Sequence, residues 1–221
     1  MQILPSINCA DVECAREHIG ALQGNSLWLH LDIADARFTF NKTWGDPLSW
    51  PIFGKGFNLE VHLMVEEPEE VVEAWLQAGA KQVVVHVEAL EDTRFRKRTE
   101  DPLSLAYAIK DACAAKGAEV VLGINSETSP EHLSPYLGFI RKFLVLSVHP
   151  GLAGQKFLPA ALRTIEWIKR EAPHATIEVD GGITPEVAKK VKAAGADVLI
   201  AASFIFKEKD IKKAIEALQN V

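Results

Sequence analysis

The chain has 221 residues, 48% hydrophobic and 24% charged, and its 24 Lys and Arg against 30 Asp and Glu leave a formal net charge of −6. A chain of that length buries roughly 70% of its unfolded surface without needing staples, and the composition excludes a disordered protein. The acidic balance argues against nucleic-acid or anionic-membrane partners, which need broad positive surface, but admits a small phosphorylated ligand held by backbone N–H groups.

The elements alternate. Strand Gln2–Ile7 leads to helix Val12–Leu22 and strand Leu27–Ile33, and after an irregular stretch, Ala34–Phe57, come strand Asn58–Met64 and helix Glu69–Ala78. Strand Gln82–Val87 is followed by a second irregular stretch, Leu90–Pro102, then helix Leu103–Lys116 and strand Glu119–Gly123. The remainder is read as helix Glu131–Leu137, strand Phe143–Val148, helix Ala160–Glu171, strand Thr176–Val179, helix Pro185–Ala194, strand Asp197–Ala201 and helix Asp210–Leu218. The strands are Val-, Ile- and Leu-rich and several are nearly continuous, as in a parallel sheet covered by helices. Ala78-Gly79-Ala80, Lys116-Gly117-Ala118 and Ala194-Gly195-Ala196 each close a helix and open a strand, so one βα unit recurs.

Eight strands with interleaved helices predict an α/β fold, a single (β/α)8 TIM barrel over residues 1–221. The alternative is an open doubly wound sheet, against which no Gly-x-Gly-x-x-Gly follows the first strand and no Walker A sequence occurs. No stretch reaches about 18 apolar residues, and Met1-Gln2-Ile3-Leu4-Pro5 lacks the basic start of a signal peptide, so a cytoplasmic location and no membrane partner are expected. Cys9, Cys14 and Cys113 are too few and scattered for a disulfide framework and are read as small buried apolar side chains. Arg94-Phe95-Arg96-Lys97-Arg98 is read as solvated surface or a subunit contact.

Chemistry gathers at strand ends. His30 and Asp32 share one face of the second strand, His62 and Met64 one face of the third, and Asp180 ends the seventh before Gly181-Gly182. Any one of these groups is ordinarily a hydrogen-bonded core residue. Two His and two Asp near one barrel end instead fit one divalent cation, since buried carboxylates need compensation, and the N/O set suits Zn2+, Fe2+ or Mn2+. Gly-rich turns follow the sixth and seventh strands (Pro150-Gly151-Leu152-Ala153-Gly154-Gln155 and Asp180-Gly181-Gly182), and Ala202-Ser203 follows the eighth, where barrels commonly bind phosphate.

Over essentially its whole length the sequence resembles the ribulose-phosphate 3-epimerase family. The resemblance rests on Pro5-Ser6-Ile7, His30-Leu31-Asp32, Val61-His62-Leu63-Met64-Val65, His86-Val87-Glu88, Ser147-Val148-His149-Pro150-Gly151, Gly154-Gln155-Lys156-Phe157 and Glu178-Val179-Asp180-Gly181-Gly182-Ile183. It implies a (β/α)8 barrel that interconverts D-ribulose 5-phosphate and D-xylulose 5-phosphate in the pentose phosphate pathway. It further implies one divalent metal on His30, Asp32, His62 and Asp180, with Asp32 and Asp180 as the acid/base pair. Ser6, His62, Met64, Gly151, Leu152, Ala153, Gly154, Gly181, Gly182, Ala202 and Ser203 would meet the substrate. Homo-oligomerisation is a further expectation.

Several positions depart from the family pattern. Ala34 and Leu146 stand where pocket methionines are usual, and the loop Asp-Gly-x-Phe-Val-Pro-Asn reads Asp35-Ala36-Arg37-Phe38-Thr39-Phe40-Asn41. Arg37 is read as a surface group and His149, in place of Asn, as loop framework. Ala153 and Ala202 replace glycines, which would be costly if either site needed positive φ. Other readings are a 3-epimerase of another ketose phosphate, such as allulose 6-phosphate, and a non-catalytic sugar-phosphate-binding barrel.

Overall fold

A computed structural model describes residues 1–25, 27–91 and 101–221. Eight parallel strands close into a barrel in chain order: β1 (Gln2–Ile7), β2 (Trp28–Ala34), β3 (Asn58–Met64), β4 (Gln82–His86), β5 (Glu119–Asn125), β6 (Lys142–Leu146), β7 (Thr176–Asp180) and β8 (Val198–Ala201). Strand parity then sorts the side chains. In β2 and β3 the odd-numbered Leu29, Leu31, Leu59, Val61 and Leu63 join the large apolar cluster beneath the helices, while Leu4, Val84, Val121, Leu144, Leu146 and Ile200 from other strands fill the barrel itself. The strands therefore look continuous because both faces are buried. The interior is apolar toward β1, β5, β6 and β8, and polar where β2, β3, β4 and β7 contribute His30, Asp32, Glu60, His62, His86, Glu178 and Asp180.

The longer helices lie where the periodicity placed them, within one residue at each end: α1 (Val12–Leu22), α3 (Glu69–Gln77), α5 (Pro102–Ala115), α6 (Ala160–Glu171), α7 (Pro185–Ala194) and α9 (Ile211–Gln219). Asp11, Asp101, Thr184 and Asp210 each accept a backbone N–H from the first turn that follows, which satisfies donors that no carbonyl reaches. Gly195 ends α7 in a left-handed conformation, φ 115°, which a Cβ would penalise. Single-turn helices α2 (Trp50–Phe53), α4 (Val87–Glu91) and α8 (Ser203–Phe206) were not predicted, being too short to show a period. The predicted helix Glu131–Leu137 is a 3-10 helix over Pro130–Tyr136, because Pro135 lacks an N–H and crowds the preceding turn. The basic run Arg94–Arg98 lies outside the described residues. Among those described, no helix is long and apolar enough to cross a membrane.

Two local readings change. Cys9 and Cys14 are joined in a disulfide rather than lying as separate apolar side chains: the turn after β1 folds back on α1 and brings their Cα atoms to 5.8 Å, inside the roughly 4.4–6.8 Å that the bond allows. Cys113 is the buried free thiol expected, its pKa pushed up to about 11 by burial. Positive φ, the condition under which Ala153 or Ala202 would be costly, holds at neither. Ala202 has φ −107°, and among the described residues Ala36, φ 61°, is the one non-glycine in the left-handed region, so Ala153 bears no such strain. Asp35 holds Ala36 there: its Oδ1 accepts the N–H groups of Arg37 and Phe38, both at 2.8 Å, and its Oδ2 that of Glu66 at 3.0 Å. Left-handed geometry costs an L-residue about 1–2 kcal/mol, and glycine forfeits about 0.4–1 kcal/mol through unfolded-chain entropy, so Ala36→Gly should add about 0.5–1 kcal/mol in a denaturant melt.

Candidate active site and metal centre

His30, Asp32, His62 and Asp180 converge at the C-terminal end of the strands because register aligns them. Asp32 lies opposite His62 and His30 opposite Glu60 in the β2–β3 ladder, while Asp180 closes β7 opposite Leu146. Each offers one donor atom and all four lie within 4.8 Å of one another, buried. His30 Nε2 is 3.3 Å from Asp32 Oδ1, 3.1 Å from His62 Nδ1 and 3.8 Å from Asp180 Oδ2. His62 Nδ1 is 2.9 Å from Asp32 Oδ1 and 3.6 Å from Asp180 Oδ2. A tetrahedron with ~2.0–2.1 Å metal–ligand bonds has edges of about 3.3–3.4 Å, in the middle of these spacings. Two facing imidazole nitrogens cannot both carry a proton without repulsion, and two carboxylates beside them add negative charge. This donor set fits a divalent cation.

Other side chains orient the four. Glu60 accepts from His30 Nδ1 at 2.6 Å and thereby turns Nε2 toward the centre. His62 Nε2 meets His86 Nε2 at 2.7 Å, the two rings are stacked, and His86 Nδ1 reaches Glu88 at 3.2 Å. Glu88 in turn accepts the N–H of Asn125 at 2.8 Å. Such outer partners fix tautomer and ring direction in metal sites. Asp32 Oδ2 accepts from Ser6 Oγ at 2.9 Å and from Asn8 Nδ2 at 3.0 Å. Glu60 and Asn8 escaped the sequence reading. Glu60 left a usable signal, an acidic residue two before His62 in an apolar strand; Asn8, in a turn, left none.

Electrostatics follow from burial against charge. Burial pulls the His30 imidazole down, but hydrogen bonds to Asp32 and Glu60 and the charges of Asp32 and Asp180 outweigh it and hold His30 well above its ordinary value. His62 is likewise raised, burial being outweighed by Asp180 and Asp32. Burial would raise Asp32, yet His30 and His62 hold its carboxyl far below the usual carboxylate range. Burial lowers His86 despite Glu88, and burial with the Glu60 charge pushes Glu178 well up. With no cation, the carboxylates thus favour a proton on the facing His30 and His62 nitrogens.

Beside the cluster opens a cleft with about 470 Å³ of empty space. Ser6, Asp32, Met64, Leu146 and Asp180 line its floor side, and Gly151, Leu152, Ala153, Gly154, Gly181, Gly182, Ala202 and Ser203 its other walls. Three successive turns, after β6, β7 and β8, thus face one volume. Ser147 Oγ, 2.8 Å and 2.7 Å from the carbonyl oxygens of Asp180 and Gly181, ties the first two together. Every residue expected to meet substrate lies on this cleft except His62, which sits beneath it in the cluster. Ala34 is buried opposite Met64 in the ladder and does not line the cleft. Arg37 pairs with Glu66 and Glu67 at the surface, and exposed His149 lies 3.5 Å from Glu127. A Cβ on Gly182, φ 65°, would lie 2.6 Å from the Phe157 backbone nitrogen. Gly182→Ala should shift these turns and weaken binding of a phosphorylated ligand by about tenfold in calorimetric titration, with the barrel intact by circular dichroism.

The profile of the ribulose-phosphate 3 epimerase family matches residues 2–206. A ribulose-phosphate 3-epimerase of Chlamydia trachomatis is 34% identical over 228 residues, covering 99% of this chain and 92% of its own. One from Schizosaccharomyces pombe is 30% identical over 229 residues, covering 99% and 92%. Among solved structures, 3-hexulose-6-phosphate synthase from Salmonella typhimurium superposes with a TM-score of 0.71 at 16% identity, covering 100% of this chain and 97% of its own, a likeness of fold alone.

Proposed function

The chain belongs to the ribulose-phosphate 3-epimerase family, and from that premise we propose that it interconverts D-ribulose 5-phosphate and D-xylulose 5-phosphate with one divalent cation on His30, Asp32, His62 and Asp180. The observation that carries the reading is the meeting of Asp32 and Asp180 in one cluster at the edge of one cleft. Zn2+, Fe2+ and Mn2+ all suit two nitrogens and two oxygens.

Epimerisation needs removal of the weakly acidic C3 proton and its return on the other face. One aspartate takes the proton, the other aspartic acid delivers one from the opposite side, and the reverse reaction exchanges the roles. The cation, when bound, supplies Lewis-acid stabilisation of the charge that builds on the substrate oxygens beside C3. Ser6 and Asn8 keep Asp32 Oδ2 directed and partly desolvated. The turns at Gly151–Gly154, Gly181-Gly182 and Ala202-Ser203 hold the phosphate end through backbone N–H groups, which orients C3 between the acids. Met64 and Leu146 supply an apolar wall that excludes water beside the sugar.

The test incubates the purified protein, loaded in turn with Zn2+, Fe2+ and Mn2+, with a panel of ketose phosphates in heavy water. NMR should show deuterium at C3 and both C3 epimers from the pentulose phosphates. Faster exchange on a hexulose phosphate would move the assignment to a longer sugar, and no C3 exchange with any substrate and metal would end it.

A further inference from the structure

A second cluster of reactive side chains lies outside the cleft, where Cys9, Cys14 and His18 meet. Cys9 is buried, and Cys14 is half-buried in the first turn of α1, its N–H bonded to Asp11 Oδ1 at 2.9 Å. His18, one turn further along α1, places Nδ1 3.5 Å from Cys9 Sγ and stacks its ring on Phe206 at 3.9 Å between centroids. The Cys9–Cys14 bond spans a sequence separation of 5. A cross-link over so short a loop constrains an unfolded chain less than a longer one would.

Its neighbours link it to the active site. Asn8, the residue before Cys9, donates through Nδ2 to Asp32 Oδ2 at 3.0 Å and to the Gly151 carbonyl at 3.0 Å. The Cys9 carbonyl accepts the Trp44 N–H at 2.7 Å. The Asn8–Cys9 step thus joins Asp32, the turn after β6 and the loop after β2, and the disulfide joins that step to α1. We propose that Cys9, Cys14 and His18 form a thiol–disulfide exchange site for a dithiol reductant, and that its oxidation state sets how firmly Asn8 positions Asp32. The consequence for catalysis rests on the epimerase reading above.

The exchange balances. A thiolate of the reductant attacks Sγ of Cys14, the more exposed residue; a mixed disulfide forms, the Cys9–Cys14 bond breaks, and the electron pair leaves on Cys9 Sγ, to which neutral His18 passes a proton that it first takes from solvent. The reductant's second thiol, deprotonated, attacks its own sulfur in the mixed disulfide and expels Cys14 as a thiolate. The first turn of α1 stabilises that thiolate, which then takes a proton from solvent. Two electrons and two protons pass to the protein, and the reductant leaves as its disulfide. His18, lowered by burial, is neutral near pH 7 and free to exchange a proton.

The folded protein is equilibrated in graded reduced and oxidised dithiothreitol, then alkylated and weighed by mass spectrometry. One two-electron transition should pair Cys9 with Cys14. Reduction should lower kcat by about fivefold with little change in KM, as expected for a loosened catalytic group rather than a lost binding contact. Cys14→Ser should match the reduced protein in every buffer, and Asn8→Ala should be slow and indifferent to redox state. The Asn8 side-chain amide resonance should move between the two states, and this reads the linkage even in a protein with no epimerase activity, an outcome that would overturn only the catalytic assignment. Absence of the disulfide in every buffer, equal kcat and an unmoved Asn8 resonance in both states, or thiols protected by zinc with no disulfide formed would each overturn the proposal.

Discussion

Asp180→Asn is expected to lower C3 proton exchange by about 10³- to 10⁴-fold, the scale of a positioned general acid or base, while leaving the fold intact. The substitution keeps shape and an oxygen donor toward His30 and His62 but removes the ability to accept or deliver a proton near neutral pH. The backbone of Asp180 is held independently of its side chain, its carbonyl accepting the Ser147 N–H at 2.7 Å. Solvent-deuterium incorporation read by NMR, with a thermal melt alongside, separates lost chemistry from lost structure. Normal incorporation by a folded, metal-loaded variant would remove Asp180 from the acid/base pair.

The second large effect is expected from removing the cation. A cation at a hundred times its dissociation constant adds about 2.7 kcal/mol to stability, or roughly 5–10 °C in Tm for a chain of this size. Chelation should reverse that shift and abolish exchange, and Zn2+, Fe2+ or Mn2+ should restore both. The pH dependence has a definite sign. His30 and His62 are raised above 6.5 in the folded chain, so their contribution to the stripped protein is full below 6.5 and is lost as pH rises through the raised values. Asp32 is depressed below 3.8, so its contribution holds above 3.8 and is lost in stronger acid. Cation binding must displace the imidazole protons, so affinity should rise with pH and binding should release protons. The stabilisation conferred by metal should therefore grow between pH 6 and pH 9, measured by melts with and without chelator and by proton release in weakly buffered titration. A Tm difference independent of pH would contradict the protonated-imidazole picture.

The site was readable from the sequence to an uneven degree. His30, Asp32, His62 and Asp180 stood out because each interrupts or ends an apolar strand, and strand parity puts His30 with Asp32, and His62 with Met64, on one face. Glu60 obeys the same parity, two before His62, though its partner, His30, lies across the ladder. Asn8 lies in a turn where composition carries no directional signal, and its two partners are 24 and 143 residues away. The two Gly-rich turns and Ala202-Ser203 were placed after the strands they follow, yet their joint enclosure of one cleft depends on neighbouring strands in a closed ring. Ala153 and Ala202 would have been costly only at positive φ, and neither has it; among the described residues that cost falls on Ala36.

Taken alone, the sequence determined what local rules govern: eight buried parallel strands, the capped helices between them, and which strand faces carry imidazole and carboxylate. These follow from period, capping and parity, each legible within about ten residues. Only the tertiary structure decided how those faces meet, with four donors in one cluster, Asn8 on Asp32 and Cys9 bonded to Cys14. The physical reason is that ring closure and register set distances between residues far apart in the chain, and energies of hydrogen bonds, ion pairs and ligation depend on those distances, which composition and periodicity do not contain.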